Sequence, residues 1–459
     1  MYKRKVYDAL LSWKRESKGA RALLLEGARR TGKSTLVRAF AENEYDSHLI
    51  IDFSVASEDI KDLFRMYRSD VDTFFMYLQA FTGVSLIRRN SLIVFDEVQR
   101  FPPAREFLKQ LVADGRYDYL ETGSLISIRK NVEDIVIPSE ETAIRLNPLG
   151  FEEFLWACDE EPLAKLIRSS TEALSPLPEP LHRKAERLFR EYMLVGGMPQ
   201  AVTEYLEARD FGKVDAVKRD ILALYRNDIA KFGGVDAMRI ARVFSTLPGQ
   251  LAKHNKKFCL ASLGASARGR DYADAFFWLS DAHISSTCYN VTDPSVGLAS
   301  TADESSFKCY MGDTGLLVSQ IFANSGETPH EVYRDILLGK LQTNEGMLTE
   351  NVVAQQLVCD GRGFYSKRDD GDRSSTMEID FLIAAGYDDA AGRLRVSPVE
   401  VKSTKRYSTR SLDKFRDKFG RRVGERYVLH PRPLSVDGDD LIRLPLYASM
   451  SLASGRGAR

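Results

Sequence analysis

Gly-Ala-Arg-Arg-Thr-Gly-Lys-Ser occupies residues 27–34 and follows the apolar run Ala-Leu-Leu-Leu at residues 22–25. The apolar run predicts a short buried strand, and we expect a helix to start at Lys33. Gly27 and Gly32 let the backbone wrap closely around a triphosphate because neither carries a Cβ. A glycine-rich turn between a strand and a helix N-terminus is typical of a phosphate-binding loop. The sequence therefore predicts a nucleotide site at this turn.

The side chains of this loop predict ATP and Mg²⁺ as cofactors. We expect Lys33 to set its charge against the β- and γ-phosphates and the Ser34 hydroxyl to ligate Mg²⁺. The residues expected to contact the nucleotide are Gly27, Ala28, Arg29, Arg30, Thr31, Gly32, Lys33, Ser34 and Thr35.

A second apolar run, at residues 91–95, ends in the carboxylates Asp96 and Glu97. It predicts a buried parallel strand that opens at the carboxyl edge of a sheet. We expect Asp96 to hold Mg²⁺ through water and Glu97 to polarise the attacking water. Residues 117–124 predict a further strand that runs into Thr122-Gly123-Ser124. There Ser124 is expected to contact the γ-phosphate or orient the water, and a plain Gly-Ser turn is the alternative.

More motifs follow in a fixed order. In addition to the loop they are Asp96-Glu97-Val98-Gln99, Thr122-Gly123-Ser124, Arg145 with Asn147-Pro148-Leu149, residues 151–155, 195–199, 226–229 and 312–316, Glu378-Ile379-Asp380-Phe381 and Glu400-Val401-Lys402. This order resembles the bacterial and archaeal AAA+ predicted ATPases, which are similar to the signal-transducing STAND branch. The resemblance implies an ATPase core, a helical lid, a winged-helix-like segment and a C-terminal domain of poorly defined role.

The resemblance also implies roles for arginines and for self-association. In AAA+ modules an arginine from the lid or from a neighbouring subunit completes the charge balance of the transition state. Arg145 is the first candidate for this role and Arg226 the second, while a surface salt bridge is the alternative for either. Because such modules commonly work as rings or dimers, we expect a homo-oligomer.

The pattern along the chain predicts an α/β protein with four regions. Strands alternate with helices in residues 1–150, which predicts a P-loop AAA+ core with a parallel sheet. We predict a helical lid in residues 151–235 and a winged-helix-like domain in residues 236–330. We predict a restriction-endonuclease-like α/β domain in residues 331–459.

Residues 236–330 predict three helical segments and two alternating strands. Arg268, Arg270 and Lys256 are candidates for contacts with nucleic-acid phosphates. Three acids flank the recognition helix of this arrangement and weaken the DNA interpretation, namely Asp271, Asp274 and Asp281. A module that only packs against its neighbours is the alternative.

Asp380 and Glu400-Val401-Lys402 resemble the metal-dependent nuclease signature PD-(D/E)xK. Alternate side chains of a strand share a face, so Glu400 and Lys402 are expected side by side. We expect Asp380 and Glu400 to hold Mg²⁺ while Lys402 acts on the attacking water, with Glu350 as a third ligand from a helix. The sequence departs from the signature because no Pro-Asp step precedes Asp380. A binding domain without cleavage and a salt-bridged hairpin are the alternatives.

Residues 401–426 contain ten Lys or Arg residues and three acidic ones. Such a basic segment fits a phosphate backbone, or else it is a solvated face. Three hypotheses therefore remain. They are an ATP-switched nuclease, an ATP-dependent DNA-binding regulator, and a STAND-type switch that acts on a protein partner.

Composition predicts a multidomain globular protein in the cytoplasm. The chain has 459 residues, 44% of them hydrophobic and 28% charged, which excludes a disordered profile. No apolar stretch approaches the roughly 20 residues of a membrane span, and the basic N-terminus lacks the features of a signal peptide. The five scattered cysteines predict reduced thiols. The net charge is zero, so any nucleic-acid surface must be local.

Overall fold

The computed structural model describes residues 1–123, 141–253, 256–264, 267–294, 297–323, 328–340, 345–358, 362–368, 376–388, 393–438 and 440–452. The chain divides into two compact units, Met1–Asn147 and Pro148–Arg459. Across the described ranges, no helix combines the length and apolarity needed to cross a lipid bilayer.

The first unit contains a five-stranded parallel sheet in the order β2-β3-β4-β1-β5. Its strands are β1 Ala22–Glu26, β2 Ser47–Asp52, β3 Ser91–Asp96, β4 Asp118–Gly123 and β5 Glu141–Arg145. Its helices are α1 Val6–Ser17, α2 Lys33–Glu44, α3 Glu58–Met66, α4 Val71–Thr82 and α5 Pro102–Asp114. All six residues of β3 are buried, as expected of a strand covered on both faces. The predicted parallel α/β core is confirmed.

Alternating side chains of β1 supply a core on each face of this sheet. Leu23 and Leu25 pack with the residues of α1 and α2, whereas Leu24 packs with an aromatic cluster contributed largely by α3, α4 and α5. That aromatic cluster includes Phe53, Phe64, Phe74, Phe95, Phe101 and Phe107. Burial on both faces fixes the register of the strands. As a result, the ends of β1, β3 and β4 meet at one edge of the sheet.

The second unit begins with helices, as predicted for residues 151–235. Its helices are α6 Phe151–Ala157, α7 Glu161–Glu172, α8 Glu179–Val195, α9 Pro199–Ala208, α10 Phe211–Phe232, α11 Ala237–Leu251, α12 Gly269–Asp281, α13 Thr314–Ile321, α14 His330–Leu337, α15 Glu345–Leu357, α16 Arg410–Phe419 and α17 Ser449–Leu452.

Two sheets complete the second unit. One has the order β7-β6-β8-β9 and the other the order β10-β11-β12-β14-β13. Their strands are β6 Ser285–Val291, β7 Ala302–Met311, β8 Arg362–Arg368, β9 Met377–Ile379, β10 Phe381–Asp388, β11 Arg393–Val401, β12 Arg426–His430, β13 Ser435–Asp437 and β14 Leu441–Pro445.

The hairpin of β6 and β7, which we expected to be a wing, is part of the four-stranded sheet. β6 pairs with β7 on one side and, in parallel, with β8 on the other. This sheet therefore takes strands from both sides of the expected division between residues 330 and 331. The alternating pattern of β6 and β7 reveals a hairpin, but it carries no information about β8, which starts at Arg362 although the hairpin ends at Met311.

Two glycine motifs of the sequence pack against each other inside the second unit. Gly196 has φ of +80°, and a Cβ there would lie 2.2 Å from Oδ1 of Asp313. The Asp313 carboxylate accepts the backbone N–H of Gly197 at 2.6 Å and that of Leu316 at 2.9 Å, so it caps α13. A Cβ on Gly315 would lie 2.4 Å from the carbonyl oxygen of Val195. These motifs therefore provide close packing between α8 and α13.

Candidate nucleotide site

The turn between β1 and α2 has the backbone of an anion-binding loop. Gly32 is the N-cap of α2, with φ of +92° and no side chain to cap the helix. The first N–H groups of a helix have no acceptor within the helix, so an uncapped start favours an anion. Gly27 has φ of +156°, and a Cβ there would lie 2.3 Å from the carbonyl oxygen of Leu146. Glycine is therefore required at both ends of the loop.

Lys33 lies inside the loop rather than in solvent. Only 9% of its surface is exposed, and Nζ donates to the carbonyl oxygens of Gly27 at 2.9 Å and Ala28 at 3.0 Å. The Thr31 hydroxyl also donates to the Ala28 oxygen, at 2.9 Å. Burial lowers the pKa of Lys33, and the charge of Glu97 partly opposes that effect. The ammonium is thus already held within the loop.

Ala28 and Thr31 are buried, whereas four other residues of the loop lie at the surface. Exposed side chains are those of Arg29, Arg30, Ser34 and Thr35. Ser34 and Thr35 belong to the first turn of α2, next to its uncapped N-terminus. They are accessible to a ligand at that end of the helix.

Asp96 and Glu97 stand at the carboxyl end of β3, beside the end of β4. The Thr122 hydroxyl of β4 donates to Oδ1 of Asp96. The backbone N–H of Glu97 donates to the same Asp96 oxygen at 3.2 Å and lies 3.4 Å from the Thr122 hydroxyl oxygen. Gln99 donates from its side-chain amide to Oε2 of Glu97 at 2.7 Å. Each carboxylate therefore has a fixed partner.

Glu97 also adopts an unusual backbone conformation. Its φ of +53° lies in the left-handed region, which costs a non-glycine residue about 1–3 kcal/mol. Such strain is commonly kept where a side chain must point in one particular direction. Here it turns the chain sharply after Asp96, and the carboxylate of Glu97 is held by Gln99.

Among the described residues, the hydroxyl that contacts Asp96 is that of Thr122. Ser124 lies outside the described residues. Thr122 is the last but one residue of β4, a strand buried along its whole length. The prediction of Ser124 therefore stays a prediction, and Thr122 is an additional residue that the sequence analysis did not single out.

Arg145 lies next to the strand that enters the loop. β5 pairs in parallel with β1, and the register sets Arg145 opposite Glu26. Nε of Arg145 is 3.7 Å from Oε1 of Glu26, the residue before Gly27. Arg226, the second candidate, belongs to α10 of the other unit.

Two of the predicted C-terminal residues, Glu350 and Asp380, belong to a buried ion network around Lys308, which the sequence analysis did not identify. Nζ of Lys308 is 3.3 Å from Oε1 of Glu350, 3.4 Å from Oδ1 of Asp380 and 3.3 Å from Oε1 of Glu378. Lys308 is fully buried. Lys308 and Tyr310 share a face of β7, and the Tyr310 hydroxyl also donates to Glu350, at 2.5 Å. The alternating pattern of β7 in the sequence could have indicated that these two side chains lie on the same side of the strand.

Glu350 is held as a carboxylate by this network. Burial alone would raise its pKa, but Lys308 and Lys256 lower the pKa of Glu350 to about 2. Lys256, which we expected to contact phosphates, donates to Oε2 of Glu350 instead. The Asp380 pKa is raised by burial and by the charge of Glu350.

Glu400 and Lys402 form a separate pair. Nζ of Lys402 is 2.7 Å from Oε2 of Glu400. Burial raises the pKa of Glu400 to about 7 although Lys402 opposes that shift. Asp380 approaches this pair through the backbone N–H of Val401, which donates to its Oδ2 at 2.9 Å. Among the described residues, no group of three or more His, Cys, Asp or Glu side chains is arranged to hold a metal ion.

The basic segment of residues 401–426 includes arginines that already have acidic partners. Arg426 is buried and contacts Asp413 at 2.6 Å and Asp440 at 2.8 Å. Arg416 lies 3.7 Å from Asp440. The charge available to a ligand is therefore smaller than the sequence count indicates.

Three families match parts of the chain. Residues 19–155 match the family described as AAA domain. Residues 186–327 match Domain of unknown function (DUF8612), and residues 345–447 match Domain of unknown function (DUF4143). No curated protein matches the sequence.

Solved structures show distant similarity. The chain is 16% identical to C. elegans PCH-2, with a TM-score of 0.23. The match covers 38% of this chain and 48% of the PCH-2 chain, so this chain spans about half the length of PCH-2. It is 10% identical to the Aeropyrum pernix ORC1 protein, solved in complex with DNA, over 72% of this chain and 92% of that chain, with a TM-score of 0.27. It is 13% identical to a chain of Drosophila ORC bound to AT-rich DNA and Cdc6, over 71% and 91%, with a TM-score of 0.23.

TM-scores of this size support no inference about function or assembly. The family match coincides with the parallel sheet, the glycine loop and the two carboxylates of the first unit. Over residues 19–155 the chain is therefore similar to the AAA domain family.

Proposed function

We propose that this protein binds and hydrolyses Mg²⁺-ATP at the loop of residues 27–35. The supporting observation is that four side chains meet at the carboxyl edge of one sheet, namely those of Lys33, Asp96, Glu97 and Thr122. The buried Lys33 ammonium interacts there with the negative charges of both acids. The residues fit the nucleotide because a Cβ is excluded at Gly27 and the start of α2 is uncapped.

Each side chain has a distinct task in this proposal. Lys33 supplies positive charge to the phosphates, while Ser34 and Asp96 hold Mg²⁺. A Mg²⁺ ion held by these residues would supply positive charge to the phosphate oxygens. Glu97 accepts the proton of the attacking water, and the Gln99 amide keeps its carboxylate oriented. Thr122 fixes the Asp96 carboxylate.

Replacement of the general base tests this assignment. Glu97→Gln keeps the shape and the Gln99 contact but removes the proton acceptor, so ATP should bind while the hydrolysis rate falls about 10²–10⁴-fold. Glu42→Gln, an exposed site on α2, is the matched control and should hydrolyse ATP at the wild-type rate. Wild-type turnover in Glu97→Gln would contradict the role of Glu97.

We propose further that the C-terminal region binds its partner without cutting nucleic acid. The expected metal ligands Glu350 and Asp380 share one buried cation, the Lys308 ammonium. A divalent ion between these two carboxylates would have to displace Lys308, because two cations cannot share the same position without strong repulsion. This observation favours the binding hypotheses over the nuclease hypothesis.

A cleavage assay tests the second proposal. Wild-type protein with ATP and either Mg²⁺ or Mn²⁺ should leave single- and double-stranded DNA and RNA intact. Metal-dependent cleavage that disappears in both Asp380→Ala and Glu400→Ala would restore the nuclease hypothesis. Cleavage that persists in both variants would point to a contaminant.

Two partner classes remain for the second unit, nucleic acid and protein. Exposed basic residues of the segment 401–426 support nucleic acid, whereas the zero net charge and the acids beside Arg268 and Arg270 support a protein. A gel shift with DNA and RNA in the presence of ATP separates the two classes. Sedimentation with and without ATP tests the proposed homo-oligomer.

A further inference from the structure

We propose that Arg4 is a positioning residue of the nucleotide site, an inference that rests on the function proposed above. Its guanidinium donates from Nη1 to the carbonyl oxygen of Thr31 at 3.1 Å and from Nη2 to that of Asn147 at 2.5 Å. The side chain is 7% exposed. One buried cation thus joins the phosphate-binding loop to the segment that follows β5.

The contact with Thr31 orients the loop backbone. The peptide between Thr31 and Gly32 is planar and trans, so its C=O and N–H point in opposite directions. Because Arg4 holds the Thr31 oxygen, the Gly32 N–H is directed away from Arg4. Backbone N–H groups that converge in a glycine-rich loop form the binding site for an anion. Arg4 therefore fixes one of those donors before the nucleotide arrives.

The contact with Asn147 fixes the other side of the loop. The preceding residue, Leu146, donates its N–H to the Glu26 carbonyl oxygen at 2.7 Å, and its own oxygen closes off the space beside Gly27. The segment of residues 146–147 therefore lies beside the Gly27 end of the loop. Arg4 holds this segment and Thr31 at a constant separation.

Arg4 is itself anchored by the helix that follows it. Its carbonyl oxygen accepts the backbone N–H of Tyr7 at 3.1 Å, at the start of α1. Leu10 and Trp13 of α1 are buried in the core on the α2 face of the sheet. The guanidinium is therefore attached to a fixed element, as a positioning role requires.

Steady-state ATP hydrolysis by Arg4→Met tests the proposal. The expected result is a KM for ATP raised about tenfold or more, with kcat within about threefold of wild type, because the loop must be ordered by the nucleotide itself. The KM of Arg4→Lys should lie between those of Arg4→Met and wild type, because one ammonium group replaces a guanidinium that reaches two carbonyl oxygens. Arg15→Met, at an exposed arginine of α1, should keep the wild-type KM.

The melting temperature is recorded for each variant to separate positioning from folding. A lowered melting temperature with an unchanged KM would show a purely structural role and would overturn the proposal. If Arg4→Met is unfolded at the assay temperature, the KM of Arg4→Lys tests the proposal instead. A raised KM for ATP would support the positioning role, and a wild-type KM would contradict it. Absence of hydrolysis in wild-type protein would instead refute the proposed ATPase function.

Discussion

The side-chain oxygen of Gln356 accepts a hydrogen bond from the backbone N–H of Phe151 at 3.2 Å, across 205 residues of sequence. The Gln356 amide nitrogen donates to the Tyr192 hydroxyl, which donates in turn to the carbonyl oxygen of Leu149 at 2.7 Å. Residues 149–151 are therefore held by α15, the helix that carries Glu350. They also lie close to the start of the second unit, which begins at Pro148.

Removal of this link should destabilise the protein. Gln356→Leu leaves the Phe151 N–H without its buried acceptor, which costs about 1–3 kcal/mol in the free energy of unfolding. Chemical denaturation followed by circular dichroism measures the loss. Gln200→Leu, at an exposed glutamine of α9, is the control and should stay within about 0.5 kcal/mol of wild type. Equal stability of the two variants would show that the link contributes nothing.

The same link predicts a route from the nucleotide to the C-terminal region. If ATP binding moves the segment after β5, we expect the displacement to affect α15 through Gln356. Coupling between distant sites is carried by packed and hydrogen-bonded contacts. Hydrogen exchange of residues 345–357 should therefore differ between ATP-bound and nucleotide-free wild type. The difference should shrink in Gln356→Leu and persist in Gln200→Leu. Identical exchange with and without ATP in wild type would rule out this route.

Thr122 should matter for turnover more than for stability. Thr122→Val keeps the volume but removes the hydroxyl that donates to Asp96 and accepts the N–H of Glu97. Hydrogen bonds to charged groups are worth about 1.5–3 kcal/mol, so kcat for ATP should fall about 10–100-fold. Thr122→Ser retains the hydroxyl and should restore most of the activity. A fully active Thr122→Val would exclude the hydroxyl from the mechanism.

Glu121 predicts a pH dependence of stability. It is fully buried in β4, and burial raises its pKa to about 8 although the Arg105 guanidinium opposes the shift. Because the pKa of Glu121 is higher in the folded chain than in the unfolded one, the folded state binds more protons at pH values between the two pKa values. Stability should therefore fall as pH rises through this window, by up to about 1.4 kcal/mol per pH unit.

Glu121→Gln removes this titration. Thermal unfolding measured from pH 5 to pH 8 should show that the variant gains stability relative to wild type as pH rises. Glu16→Gln, at an exposed site of α1, should run parallel to wild type. A constant difference between Glu121→Gln and wild type across the window would contradict the raised pKa.

Local sequence patterns predicted the nucleotide unit well. The apolar runs before Gly27 and before Asp96 are strands, and α2 begins at Lys33 as expected. These features depend on neighbouring residues and on the two-sided burial of parallel strands, both of which are readable in the sequence. The contact of Thr122 with Asp96 was not predicted, because it depends on how two neighbouring strands end beside each other in the folded sheet.

Long-range partners could not be predicted. Lys308 contacts Glu350 and Asp380, which lie 42 and 72 residues away, and Arg4 contacts a carbonyl oxygen 143 residues away. A buried lysine and an exposed one look alike in a sequence, since only the assembled fold decides which carboxylates surround the charge. For the same reason we predicted from the sequence that Lys256 contacts phosphates, whereas in the structure it pairs with Glu350.

Isothermal titration calorimetry of Mg²⁺-ATP into the 459-residue protein tests the central claim most directly. Wild-type protein should bind ATP at a single class of sites, and Lys33→Ala should show no heat of binding because the phosphates lose their main charge partner. Lys109→Ala, at an exposed lysine of α5, should bind like wild type. Folded wild-type protein that releases or absorbs no heat with Mg²⁺-ATP, or a Lys33→Ala variant that binds as tightly as wild type, would contradict the account.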